Sequence, residues 1–291
     1  MRSAEELEEI ARQVRALTLL ELHEAQSGHP GSSLSSLDLM VATYFGGAFR
    51  HDPQNPNWQG RDYFLLSVGH AVPGLYACLA RAGYGPIDEL VGLRKLGTRL
   101  AGHAHRNTYP GVESSAGSLG QGLAVGIGLC TGLRLNGRNN RVVVLMSDGE
   151  HQEGSTWESI MFAGSHQPSG LVAIVDQNHN QINGPTHSIM QIMDKLPIKY
   201  EAFGWEVLSI DGNVMSEVEP ALSHALDADH PVVIIAKTTT GKGISYMEGD
   251  YHWHHGVITD ELLLMGMSDL GVELSPTKDK TWTFENVLAQ A

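Results

Sequence analysis

Val142-Val143-Val144-Leu145-Met146, followed at once by Ser147-Asp148-Gly149-Glu150, is the stretch on which the fold turns. Five consecutive apolar residues with no polar alternation predict a strand buried on both faces, and the Asp-Gly pair predicts a sharp turn at its carboxyl end. Outward from this point, four more such runs appear: Tyr63-Leu66, Leu171-Val175, Val207-Ile210 and Val232-Ala236. Each is ended by Gly, Asp or Asn and followed by a helix-length segment. The step from the Val142 run to the Leu171 run is about the ~30 residues of one strand-helix-strand unit. The pattern predicts an α/β fold: an open, doubly wound, mainly parallel sheet with helices on both faces.

Before the first strand, Glu5 to Gln26 places Leu7, Ile10, Ala11, Val14 and Leu17 on one helical face, and Leu37 to Phe49 reads as a second helix that stops before Asp52-Pro53. Leu123 to Leu135 is a third. No repeat, charge block or low-complexity segment interrupts the chain. Residues 1–291 are therefore expected to form a single domain, with a helical N-terminal segment and a tail, 259–291, in which only Glu261-Leu264 is patterned.

Composition narrows the function. The 291 residues include 33 acidic and 19 basic side chains, a formal charge of −14, so the basic stripe needed for nucleic acid or an anionic membrane surface is missing. The charged start, Met1 to Glu6, lacks a signal-peptide core, and no apolar run approaches a membrane span. Cys78 and Cys130 sit far apart among small apolar residues, as expected of buried thiols in a reducing compartment. A soluble, cytoplasmic protein is expected. The 15 histidines are the compositional oddity, and they hint at a polar active site.

In an open α/β sheet, ligands bind beyond the carboxyl ends of the strands. The residues there are Ser67-Val68-Gly69-His70, Ser147-Asp148-Gly149-Glu150, Asp176-Gln177-Asn178-His179-Asn180, and Lys237 through Gly241-Lys242-Gly243. Asp148 and Asn178, one charged and one neutral oxygen donor at adjacent strand ends, suit Mg²⁺, which completes its shell with phosphate and water. Asp148-Gly149 alone would equally be a self-capped turn. Gly117-Ser118-Leu119-Gly120-Gln121-Gly122 opens the Leu123 helix and reads either as a phosphate-binding turn or as a close helix-packing surface. It lacks the Lys-Ser/Thr pair of nucleoside triphosphatases. Four Gly-flanked histidine motifs, at His29, His70, His103 with His105, and His254 with His255, are expected to bring at least three imidazoles into one site. A zinc site is the rival, without a His-Glu-x-x-His or paired-Cys pattern to support it.

Taken in order, Ser27-Gly28-His29-Pro30-Gly31, Gly69-His70-Ala71, the Gly117–Gly122 run, Asp148-Gly149-Glu150 with Glu153-Gly154, Asp176-x-Asn178 and the Lys237–Gly256 segment resemble the amino-terminal, diphosphate-binding half of transketolases. The resemblance covers most of Glu5 to Gly256. It implies thiamine diphosphate with Mg²⁺ or Ca²⁺, the metal held by Asp148, Asn178 and the carbonyl of Asn180. His70 and His255 would contact the diphosphate beside Gly149 and Glu150. Gly117, Ser118 and Leu119 would lie near the aminopyrimidine, and Asp176 and Ile182 beside the thiazolium. His29, His103 and His255 would bind substrate hydroxyls and move protons. Glu153 and Glu158 would link paired cofactor sites across a subunit interface, although Ser155-Thr156-Trp157-Glu158 also reads as a capping box.

Three positions depart from the family pattern. Ser147 replaces a usual Gly, Ala104-His105-Arg106 follows Gly102-His103, and His254-His255 is doubled, with His255 chosen for its place before Gly256. The half of a transketolase that carries the pyrimidine-binding domain and its activating glutamate has no counterpart in these residues. The resemblance therefore implies an amino-terminal subunit that is inactive without a C-terminal partner, most simply in an α2β2 assembly. The complex would move a two-carbon ketol unit from a ketose, in the family phosphorylated, to an aldehyde. The alternatives are an E1-type α subunit or deoxyxylulose phosphate synthase fragment, and a non-catalytic module of the same fold.

Overall fold

The computed structural model describes residues 2–191 and 193–274, together with 284, 287 and 288. The chain opens with α1 (Ala4–Ala25), whose start is fixed by a capping box: Ser3 Oγ accepts from the Glu6 N–H, and Glu6 accepts from the Ser3 N–H. Next come α2 (Pro30–Ser35) and α3 (Leu37–Phe45). The expected helix to Phe49 ends four residues early because Gly46 caps it and Gly47 turns left-handed at φ 100°.

The five expected strands all form: β1 (Tyr63–Leu66), β2 (Val142–Ser147), β3 (Leu171–Gln177), β6 (Glu206–Asp211) and β7 (Val232–Lys237). They pair in parallel in the order β1-β2-β3-β7-β6. A two-residue antiparallel ladder, β4 (Asn180–Gln181) with β5 (Gly184–Pro185), projects beyond β3. The remaining helices are α4 (Val72–Ala82), α5 (Gly122–Leu135), α6 (Gly154–His166), α7 (Thr186–Ile189), α8 (Leu196–Ala202), α9 (Met215–Asp227) and α10 (Asp260–Asp269).

Successive side chains of a strand point to opposite faces, and the uninterrupted apolar runs use this to feed two cores. On one face Val143, Leu145, Val172, Ile174, Val232 and Ile234 pack with α1, α3, α4 and α9; on the other Val144, Met146, Ala173, Val175, Val233 and Ile235 pack with α5, α6 and α8. The doubly wound expectation is thus met, with β6 as a half-exposed edge. Cys78 and Cys130 are free and buried, and burial pushes the Cys130 thiol up to about 12. The Leu-rich piece of the tail is α10, capped by Thr259, and most of 275–291 lies outside the described residues. Among the described residues no helix is long and apolar enough to cross a membrane.

Candidate active site

The parallel register puts Ser147 beside Asp176 and Gln177 beside Lys237, so the polar ends of β2, β3 and β7 share one rim. A cavity of about 180 Å³ opens there, lined by Ser32, His70, Leu119, Ser147, Gly149, Asn178, Asn180, Gln181, Ile182 and His254. Asp148 begins the 3-10 turn that follows β2. Its carboxylate is 1% exposed and accepts hydrogen bonds from the N–H groups of Gly149 and His179 and from Thr186 Oγ1, with no basic side chain paired to it among the described residues. Burial, then the charge of Asp176, pushes its pKa up to about 7. A buried carboxylate without a counter-charge fits a cation, and the hard oxygen set of Asp148, the Asn178 amide and a backbone carbonyl fits Mg²⁺. Among the described residues no group of three or more His, Cys, Asp or Glu side chains could hold a metal, so a cation here would rest on Asp148 with neutral oxygen ligands.

Asn178 is fixed from both sides: its Oδ1 accepts from the Asn180 N–H, and its Nδ2 donates to Ser35 Oγ and Asp176 Oδ2. Asp176 itself is fully buried, accepts from Ser35 and Thr238, and does not line the cavity. Burial lifts its pKa to about 6 against those hydrogen bonds. In this structure it braces Asn178. Glu150 also turns away from the cavity: its carboxylate accepts from Ser67 Oγ and from the N–H groups of Gly120 and Ser147, pinning the glycine loop to the ends of β1 and β2. Gly69 is required where this loop comes near, since a Cβ there would lie 2.7 Å from the Gly117 nitrogen. Gly117 and Ser118 are exposed, Leu119 reaches the cavity, and Ile182 stands 70% exposed at its mouth.

The histidines gather as expected. His29 has ring centroids of His70, His103, His254 and His255 within 5.1, 5.9, 5.6 and 5.0 Å. His70 also lies 4.9 Å from His254, and its Nε2 is 3.1 Å from Ser32 Oγ. Burial, then the neighbouring imidazoles, depress His70 to about 3, and burial likewise lowers His103 and His254. Of the doubled pair, His254 lines the cavity with His70, while His255 is exposed beside His29. Sequence reasoning chose His255 over His254 for its place before Gly256, whereas it is His254 that lines the cavity. The only available signal was the doubling itself, because the 3-10 turn Tyr251–His254 sets which ring turns inward. Arg94 was also missed; it reaches Ser27 and His29 from a segment without a motif.

Glu153 and Glu158 are both exposed at the start of α6. The capping-box reading of Ser155–Glu158 is corrected: Glu153 is the cap residue, without a side-chain cap bond, and Ser155 Oγ is 3.3 Å from Gln121 Nε2.

A parallel α/β sheet whose carboxyl rim joins a buried carboxylate, a buried amide, a glycine loop and a cluster of imidazoles has the make-up of a diphosphate-cofactor binding domain. The chain belongs to the transketolase family, matching its thiamine diphosphate binding domain over residues 7–277. It is 38% identical to the 6-deoxy-6-sulfo-D-fructose transketolase subunit SqwG of Clostridium sp. (strain MSTE9), over 92% of this chain and 97% of that one. It is 36% identical to an apulose-4-phosphate transketolase subunit of Actinobacillus succinogenes, again over 92% and 97% of the two chains. The crystal structure of transketolase from Campylobacter jejuni superposes with a TM-score of 0.85 at 32% identity, over 93% of this chain and 43% of that chain.

Proposed function

We propose that this chain is the amino-terminal subunit of a two-chain, Mg²⁺-dependent transketolase of the cytoplasm, with a C-terminal partner in an α2β2 assembly. The observation that carries the reading is the cavity in which Gly149, Asn178 and Asn180 face His70 and His254 beside the uncompensated Asp148 carboxylate. Family membership and near full-length likeness to two chains named as subunits support it. Thiamine diphosphate, when bound, supplies the carbon nucleophile and electron sink for the transfer of a two-carbon ketol unit from a ketose, read as phosphorylated, to an aldehyde.

The chain's own residues bind and orient. Asp148, Asn178 and the Asn180 carbonyl would hold the metal. His70, with His254 or His255, would donate to diphosphate oxygens, a role open to a neutral imidazole through its N–H. Leu119 and Ile182 would give the bound cofactor apolar walls, closed to water once a partner covers Ile182. His29 and His103 would hold substrate hydroxyls, and His103 would move protons at the reacting carbons. Ile182, Ile189 and Met190 are exposed apolar residues at or near the mouth, and Glu153 and Glu158 are exposed at the head of α6; this is the face a partner would cover.

Native mass spectrometry of the chain from its own host, in Mg²⁺ buffer, tests the proposal. A complex with a second chain, carrying thiamine diphosphate and metal and losing both in Asp148→Asn, is expected. A cofactor-free monomer that stays so when thiamine diphosphate and Mg²⁺ are added would overturn it in favour of a non-catalytic module.

A further inference from the structure

Arg94 enters the histidine cluster from a loop that closes on itself. Its backbone is left-handed at φ 58°, and its N–H donates to the Leu100 carbonyl at 2.9 Å, which returns the chain beside Gly102. A Cβ at Gly102 would lie 2.5 Å from Arg94 Nε, so only glycine leaves the guanidinium its path. From there Nη1 donates to Ser27 Oγ at 2.7 Å, and Nη2 donates to His29 Nδ1 and to the Gly102 carbonyl, both at 3.5 Å. One planar fork thus ties Ser27–His29 to Gly102–His103, two of the segments that carry candidate catalytic imidazoles.

A guanidinium has five N–H donors, no acceptor, and does not lose its charge. A ring nitrogen facing it must accept, and a neutral imidazole whose Nδ1 accepts carries its proton on Nε2. His29 stays neutral: burial first, then His70, His254, Arg94 and His255 around it, depress its pKa to about 2. His103 packs against it as well, and no hydrogen bond to His29 Nε2 is present among the described residues.

We propose that Arg94 is a positioning residue that holds His29 in the neutral Nε2–H tautomer, so that His29 meets substrate as a hydrogen-bond donor and not as a base. The tautomer follows from this chain's geometry alone; the word substrate rests on the function proposed above. The same fork fixes the spacing of His29 and His103, whose ring centroids are 5.9 Å apart.

The test is long-range ¹H–¹⁵N NMR of the full chain labelled with ¹⁵N-histidine, with His29→Gln to assign the signals, from about pH 6 to 8. The expected spectrum has an unprotonated Nδ1 and a protonated Nε2 for His29 throughout. In Arg94→Met the two nitrogen signals are expected to move toward the average of exchanging tautomers. A wild-type His29 protonated on Nδ1 overturns the proposal, as does an unchanged tautomer in folded Arg94→Met. The wild-type spectrum needs no variant, so a folding failure of Arg94→Met does not shield the idea. Failure to bind thiamine diphosphate with the tautomer as expected would count against the proposed function and leave this inference standing.

Discussion

At the scale of single residues, the polar side chains of this protein divide by whether burial is answered. Asp62 is answered: its fully buried carboxylate accepts from Arg50 Nη2 at 2.7 Å, Arg141 Nη2 at 2.6 Å and both of their backbone N–H groups. Burial alone would raise its pKa, but the hydrogen bonds from Arg50 and Arg141 outweigh burial and hold it below the usual carboxylate range. The stability it contributes is present above the unfolded pKa and lost as pH falls through the lower folded value. Asp62→Ala should cost on the order of 3 kcal/mol in urea unfolding at neutral pH, with the difference from wild type shrinking below about pH 4. Glu21 is unanswered, with both oxygens buried and unpartnered among the described residues, and burial raises its pKa well above the carboxylate range. Its contribution is of opposite sign, fully present below the unfolded pKa near about 4.3 and lost as pH rises toward the folded value. Glu21→Met should therefore stabilise the protein by roughly 1 to 3 kcal/mol at pH 7 and remove that slope, as read by urea midpoints across pH. The identities of Asp62 and Glu21 are plain in the sequence. Their opposite roles are not, because partner and burial come from chain segments far apart.

At the scale of elements, the strands were legible and the loops that aim the site were not. Uninterrupted β-branched and apolar runs leave little choice but a strand covered on both faces, which is why all five were found within a residue or two. The 3-10 turns at Gly69–Ala71 and Gly149–Gln152 carry no such periodicity, yet they decide where His70, Asp148 and Glu150 go. Glu150 shows the consequence: it reads as a cofactor residue in sequence, whereas its carboxylate pins the glycine loop through Ser67, Gly120 and Ser147. Glu150→Ala would leave the Gly120 and Ser147 N–H groups without that acceptor. Amides of 117–122 should then exchange faster in hydrogen-exchange mass spectrometry by about tenfold or more, the equivalent of losing roughly 1.4 kcal/mol of local stability, while β2 stays protected. Equal protection in both proteins would mean that the loop is held by packing alone.

At the scale of the whole molecule, the residues read as the metal and diphosphate side of the site lie within this chain, and Ile182 at the cavity, with Ile189 and Met190, stands exposed. A turnover assay follows from that asymmetry. Given thiamine diphosphate, Mg²⁺, a ketose phosphate and an aldehyde, the chain alone should yield no transfer product, and the co-purifying partner should restore it. Product from the chain alone would contradict the two-chain reading. The sequence by itself determined the parallel α/β sheet, the placing of Asp148 and Asn178 at its carboxyl rim and the gathering of the histidines, because apolar runs and turn residues act locally and strand ends in such a sheet converge by construction. The tertiary structure alone decided that His254 takes the cavity wall, that Asp176 and Glu150 are braces, that Glu158 closes no capping box and that Arg94 grips His29. Those outcomes depend on which distant backbone lies within about 3 Å of a polar atom, and hydrogen-bond satisfaction at that range is a property of packing that no spacing along the chain encodes.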